Sequence, residues 1–213
     1  MQCLMTRRGR GLALAGIVLC LALATSLRPA AATATSGTDA VKNLYATLLQ
    51  AMRDGPTLGA RGRYAQIEPV VHRVFDIPFM TRLAVGPEWA GLNDAQRQQV
   101  SQAFERYVAA MYADRFNSYA GEQLQVTGEQ SSTGGPVITS QIVKSNGQPV
   151  AINYLMRENG GVWQIADVYL DGTISELATR RSEFAAILRA QGITGLIAML
   201  NTKADMLTGA RTS

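Results

Sequence analysis

Apolar positions recur every three or four residues in the first and last parts of the chain, and every second residue in the middle. Val41, Leu44, Tyr45, Leu48, Leu49 and Met52 mark an amphipathic helix over 38–54, with Ser36 and Asp39 as a capping pair and Gly55-Pro56 as its stop. A second helical segment covers 61–75. Asp76 then caps a short helix with Pro78 in its first turn and Gly86 just past its end. Asn93 and Gln96 form a capping box for the longest helix, 94–117, whose stripe runs from Val100 to Phe116. Alternating segments follow at 122–128, 137–144, 150–157 and 162–170, separated by Gly134-Gly135-Pro136, Ser145-Asn146-Gly147 and Asn159-Gly160-Gly161. Connections this short require antiparallel hairpins. After Asp171-Gly172, helix returns over 175–190, is interrupted at Gly192 and resumes over 193–207. Helices segregated from a meander of strands predict one α+β domain over 35–213: a twisted four-stranded antiparallel sheet packed against a layer of helices.

The first 34 residues read differently. Arg7, Arg8 and Arg10 precede an apolar run from Gly11 to Ala24, and Ala32-Thr33-Ala34 or Ala30-Ala31-Ala32 offers a cleavage site. This layout predicts a secretory signal peptide and a periplasmic destination. Both cysteines, Cys3 and Cys20, lie inside it, so the mature body carries no thiol. No later segment holds 18 consecutive apolar residues, which predicts a soluble body. All 16 acidic residues, and 16 of the 20 basic ones, lie beyond this segment. A charge-balanced body argues against nonspecific nucleic-acid binding, which needs surplus positive charge.

The inventory of reactive groups is short. His72, the single histidine, follows Glu68 by four residues and could form a base dyad with it; a satisfied surface pair is the plainer reading. Asp167 lies inside the last strand, where it either faces solvent, pairs with an arginine or is a buried acid. No phosphate-binding loop, dinucleotide fingerprint, nucleophile elbow or zinc motif occurs, and no metal site or cofactor is expected. Large, deformable apolar side chains are instead abundant on the long helix and on the segment around Phe75, Phe79, Met80 and Leu83. Trp89 and Trp163 read as structural.

Several phrases, taken in order, carry a resemblance. They are PVVHRVFDIPFM (69–80), RLAVGPEW (82–89), Gln96-Arg97, YADRFNSY (112–119), WQIADVYLDG (163–172), Ile174-Ser175 and RSEF (181–184). This set resembles the MlaC-type periplasmic phospholipid-binding proteins, the toluene-tolerance family; RLAVGPEW and RRSEF are most similar to its hopanoid-associated branch, HpnM. The likeness spans roughly 38–200. Thr179-Arg180-Arg181 departs from it, since many relatives have tyrosine before the arginine.

The resemblance implies a carrier with a lipid cavity between sheet and helices. The implied cargo is a hopanoid or phospholipid, passed between an inner-membrane transporter of RND or MCE type and an outer-membrane complex. A phospholipid carries about 30 methylenes, and at about 0.8 kcal/mol each their exposure to water costs on the order of 24 kcal/mol. A carrier therefore needs apolar room, expected at about 300–1,000 Å³. The expected wall takes Phe75, Phe79, Met80 and Leu83 from the short helix and its approach. The long helix supplies Phe104, Val108, Met111 and Tyr112, and the strands Ile152, Tyr154, Val168, Leu170 and Ile174. Glutamate at Ile174 is expected to abolish lipid retention. Two other readings stay open: an acid–base enzyme using His72, Glu68 or Asp167, and an accessory subunit that docks on a transporter and binds no lipid.

Overall fold

The computed structural model describes residues 36–209, so the export segment read over 1–34 lies outside the described residues. Helix α1 (Gly37–Val74) starts at Ser36, whose hydroxyl accepts the Asp39 N–H at 3.1 Å. It does not stop at Gly55-Pro56. Gly55 lies inside the helix, and its missing side chain makes room for the chain of Asn117: an added Cβ would lie 2.1 Å from the Asn117 carbonyl oxygen. The break comes at Gly59 (φ 62°, ψ −177°), a conformation open essentially to glycine alone. Buried Arg63 then donates to the Gly55 carbonyl at 3.2 Å and the Ala113 carbonyl at 2.8 Å.

Helix α2 (Ile77–Val85) follows the expected grammar. The Asp76 carboxylate accepts the Phe79 N–H at 3.2 Å, Pro78 sits in the first turn, and Gly86 closes it with φ 76°. A 3₁₀ turn, Gly86–Gly91, leads to helix α3 (Asp94–Arg115), opened by the reciprocal Asn93–Gln96 capping box at 2.9 and 3.1 Å.

The strands are β1 (Gln123–Ser132), β2 (Gly135–Val143), β3 (Pro149–Asn159), β4 (Val162–Leu170) and β5 (Ile174–Ser175). They lie in sequential order with every neighbour antiparallel, forming an open sheet. The sheet has five strands, not the expected four. Asp171 (φ 50°) and Gly172 (φ 78°) turn the chain so sharply that Ile174 pairs back on Leu170. Helix α4 (Glu176–Thr208) follows directly and is interrupted at Gly192 (φ 64°, ψ −169°), where the sequence placed the break.

One face of the sheet is covered. Ile138 and Ser140 of β2, Tyr154 and Met156 of β3, and Ile165 and Val168 of β4 are buried toward the helices. Helix α1 packs on the sheet and on α3, and α4 packs on α3 and α2. The end of α1 is pinned to β4 by the Asp76 N–H, which donates to the Ile165 carbonyl at 2.9 Å. Among the described helices, α4 alone is apolar and long enough by composition to cross a membrane. Its Leu177, Phe184, Leu188, Leu196 and Leu200 are buried in the core, while most of the remaining apolar stretch is only partly covered.

Candidate functional site

Between the covered sheet face and helices α3 and α4 lies a cavity of about 200 Å³. This is smaller than the range common for ligand pockets and smaller than the sequence led us to expect. Phe104, Val108, Tyr112 and Phe75 form its helical side, Tyr154 and Val168 its sheet side, with Met80 and Leu177 between. These side chains are all buried. Ile142, Ile152 and Leu170 on the strands, Met111 on α3 and Phe116 just past its end also line it but are only half-buried. The gradient from buried to half-buried marks the mouth.

Aromatic rings stiffen one wall. Phe75 lies 5.7 Å from Tyr112, and Tyr112 stacks on Phe116 at 5.8 Å with planes 11° apart. Such pairs add about 0.5–1.5 kcal/mol beyond area burial. Behind them sits a buried run of hydroxyls. The Tyr45 and Ser140 hydroxyls are 2.6 Å apart, and Ser140 donates to the Ile152 carbonyl. The Tyr154 hydroxyl interacts with those of Tyr45 and Tyr112. Burial pushes all three phenols up from their ordinary pKa, so they remain neutral. The cavity floor therefore carries no charge.

Among the described residues that line the cavity, charge appears only with Arg115, Glu176 and Arg180. Arg180 donates to Glu176 at 3.0 Å and to Glu183 at 2.7 Å, and its guanidinium lies 5.6 Å over the Tyr107 ring. Burial opposes its charge, but Tyr107, Glu183 and Glu176 outweigh that and raise its pKa.

Ten of the thirteen wall residues read from the sequence line this cavity: Phe75, Met80, Phe104, Val108, Met111, Tyr112, Ile152, Tyr154, Val168 and Leu170. Three do not. Phe79 is held between guanidiniums, with Arg157 4.7 Å and Arg82 5.5 Å from its ring, because Asp76 fixes Arg157 there at 2.5 Å. Leu83 is 36% exposed on the far side of α2, and Ile174 is 54% exposed on the edge strand. The sequence reading missed Tyr107, Phe116, Ile142 and Leu177, and the charged Arg115, Glu176 and Arg180. Phe116 and Tyr107 continue the α3 stripe and could have been included; the charged residues look in sequence like an ordinary solvated helix face.

The reactive groups do not converge on the cavity. His72 pairs with Glu105 at 2.7 Å, not with Glu68, and its side chain is 71% exposed beside a separate groove of about 510 Å³. Asp167 is buried and meets no arginine among the described residues, contrary to the solvated or arginine-paired reading. It accepts from the Ser175 hydroxyl at 2.6 Å and from the Val168 and Leu177 N–H groups at 2.7 and 3.1 Å. Its acceptor capacity is used in tying β4 to the start of α4. Among the described residues, no three His, Cys, Asp or Glu side chains gather as a metal site would require.

Comparison with known proteins agrees with this arrangement. The phospholipid-binding protein of Ralstonia solanacearum, solved in complex with a phospholipid, has the same fold. Its TM-score is 0.65 at 21% identity, and the alignment covers 83% of this chain and 99% of that one. The family model for the MlaC protein matches residues 42–202. That span is most of the chain, and the chain belongs to the MlaC family.

Proposed function

We propose that this chain is a carrier that shields the apolar part of a phospholipid or hopanoid in the cavity. It shuttles that cargo across the periplasm, between an inner-membrane transporter of RND or MCE type and an outer-membrane complex. One observation carries the reading: a cavity walled by apolar side chains, with its charges confined to Arg115, Glu176 and Arg180. Such a site holds hydrocarbon, and the carboxylate among its lining residues, Glu176, is tied to Arg180 at 3.0 Å. Family membership and the phospholipid complex of the Ralstonia solanacearum protein support lipid as the cargo. The hopanoid alternative rests on the RLAVGPEW and RRSEF phrases.

A cavity of about 200 Å³ takes only part of such a lipid. Loading therefore moves the wall outward. Met80 and Met111 suit that movement, because unbranched thioethers repack at low cost. A wall that yields also lets the cargo leave, which a carrier requires.

The direct test is transfer of a fluorescent phospholipid from donor to acceptor vesicles. The carrier reading expects a transfer rate that rises with protein concentration. A rate equal to spontaneous exchange at every concentration contradicts it.

A further inference from the structure

The cavity ends at an unpaired cation. Arg115 lines it from the last turn of α3, and its guanidinium has no hydrogen-bond or ion-pair partner among the described residues. The other charges there are satisfied: Arg180 is bound by Glu176 and Glu183, so neither this arginine nor either carboxylate stands free. Asp114, the acid next to Arg115, is not part of the cavity lining. Arg115 and Glu176 line the same cavity as Tyr112 and Phe116, and so share its aromatic wall. Phe116, stacked on Tyr112, stands beside Arg115 and continues the apolar surface outward. A basic residue in a helix's last turn suits the helix dipole, but that accounts for its sign and not for its place on a cavity wall.

Resting on the carrier reading above, the geometry points to Arg115 as the contact for an anionic headgroup. The cargo it selects is a lipid with a phosphodiester, whose tails enter past Phe116 and Met111 while its phosphate stops at the guanidinium. Arginine matches phosphate oxygens with paired N–H donors. A neutral polyol head offers no charge to that cation.

The experiment compares two lipids with the same acyl chains, dioleoylphosphatidylglycerol and dioleoylglycerol, offered to the full mature chain in neutral carrier vesicles. Lipid retained after separation is counted by mass spectrometry. We expect the wild type to retain the phosphatidylglycerol in preference, and Arg115→Gln to lower the ratio of the two by about tenfold. Arg115→Lys restores part of the ratio, and circular dichroism of each variant verifies its fold. Inorganic phosphate, added at matched ionic strength, leaves the bound lipid in place. Equal retention of both lipids by the wild type, or an unchanged ratio in Arg115→Gln, overturns the headgroup assignment alone. Release of the lipid by inorganic phosphate also overturns it, since the site then reads a free anion. Retention of neither lipid by the wild type overturns the carrier reading itself.

Discussion

The Ser175 hydroxyl donates to the Asp167 carboxylate at 2.6 Å, joining the last long strand to the cap of the helix that carries Leu177 into the cavity wall. The same Ser175 side chain accepts the Ala178 N–H at 2.9 Å, so one hydroxyl links strand, carboxylate and helix start. Asp167→Ala leaves the Ser175 hydroxyl and the Leu177 N–H without their acceptor. We expect a loss of about 2–3 kcal/mol, seen as a lower urea midpoint, with lipid still retained under mild conditions. An unchanged midpoint combined with loss of some turnover would point to chemistry at Asp167.

The periodic parts of this fold are legible in the sequence because each period reports one buried face. Strand β4 occupies the span its alternation predicts, and the break at Gly192 lies where it was read. What escaped depends on contacts between distant segments. Gly55 reads as a helix stop, but its meaning is the approach of Asn117, 62 positions away in sequence. Phe79 reads as wall because α2 is apolar on several sides, and only the docking of Arg157 shows which side faces in. Arg115, Glu176 and Arg180 are invisible as site residues, since periodicity marks the apolar face of a helix and not its boundary. The size of the cavity is likewise absent from the sequence, because hydrophobic pattern does not tell meshed side chains from a gap.

Leu170→Glu and Ile174→Glu make a matched pair on the last hairpin. Leu170 lines the cavity, whereas Ile174 is largely exposed. A carboxylate at Leu170 sets an unpaired charge against hydrocarbon, at a cost that prevents lipid retention. We expect lipid extracted from Leu170→Glu to fall at least tenfold, and that from Ile174→Glu to match the wild type. Equal loss in both would return Ile174 to the wall.

Gly55→Ala tests the contact between α1 and the chain after α3. The added methyl would sit 2.1 Å from a backbone oxygen, which cannot swing aside as a side-chain tip would. Overpacking of this kind costs about 1–3 kcal/mol. Differential scanning calorimetry should show a Tm lower by several degrees. A Tm equal to the wild type would mean that the two segments part without cost.

Alkaline pH should unfold the protein through its buried phenols. Burial raises the pKa of Tyr112, Tyr154 and Tyr45 above the unfolded value of 10.0. The unfolded chain then loses protons first as pH rises, so their contribution is complete below about pH 10 and declines above it. Stability to urea should be flat on approach to pH 10 and fall beyond it, with phenolate absorbance of these tyrosines appearing only as the fold is lost. Early, reversible ionisation of all seven tyrosines in the folded protein would contradict their burial.

The central claim is that the interior accepts hydrocarbon, and native mass spectrometry of the mature chain after incubation with phospholipid vesicles addresses it most directly. We predict a bound species heavier by one phospholipid, lost in Leu170→Glu and present in Ile174→Glu. A spectrum with only the bare chain, under conditions where the fold is intact and vesicles are in excess, would contradict it.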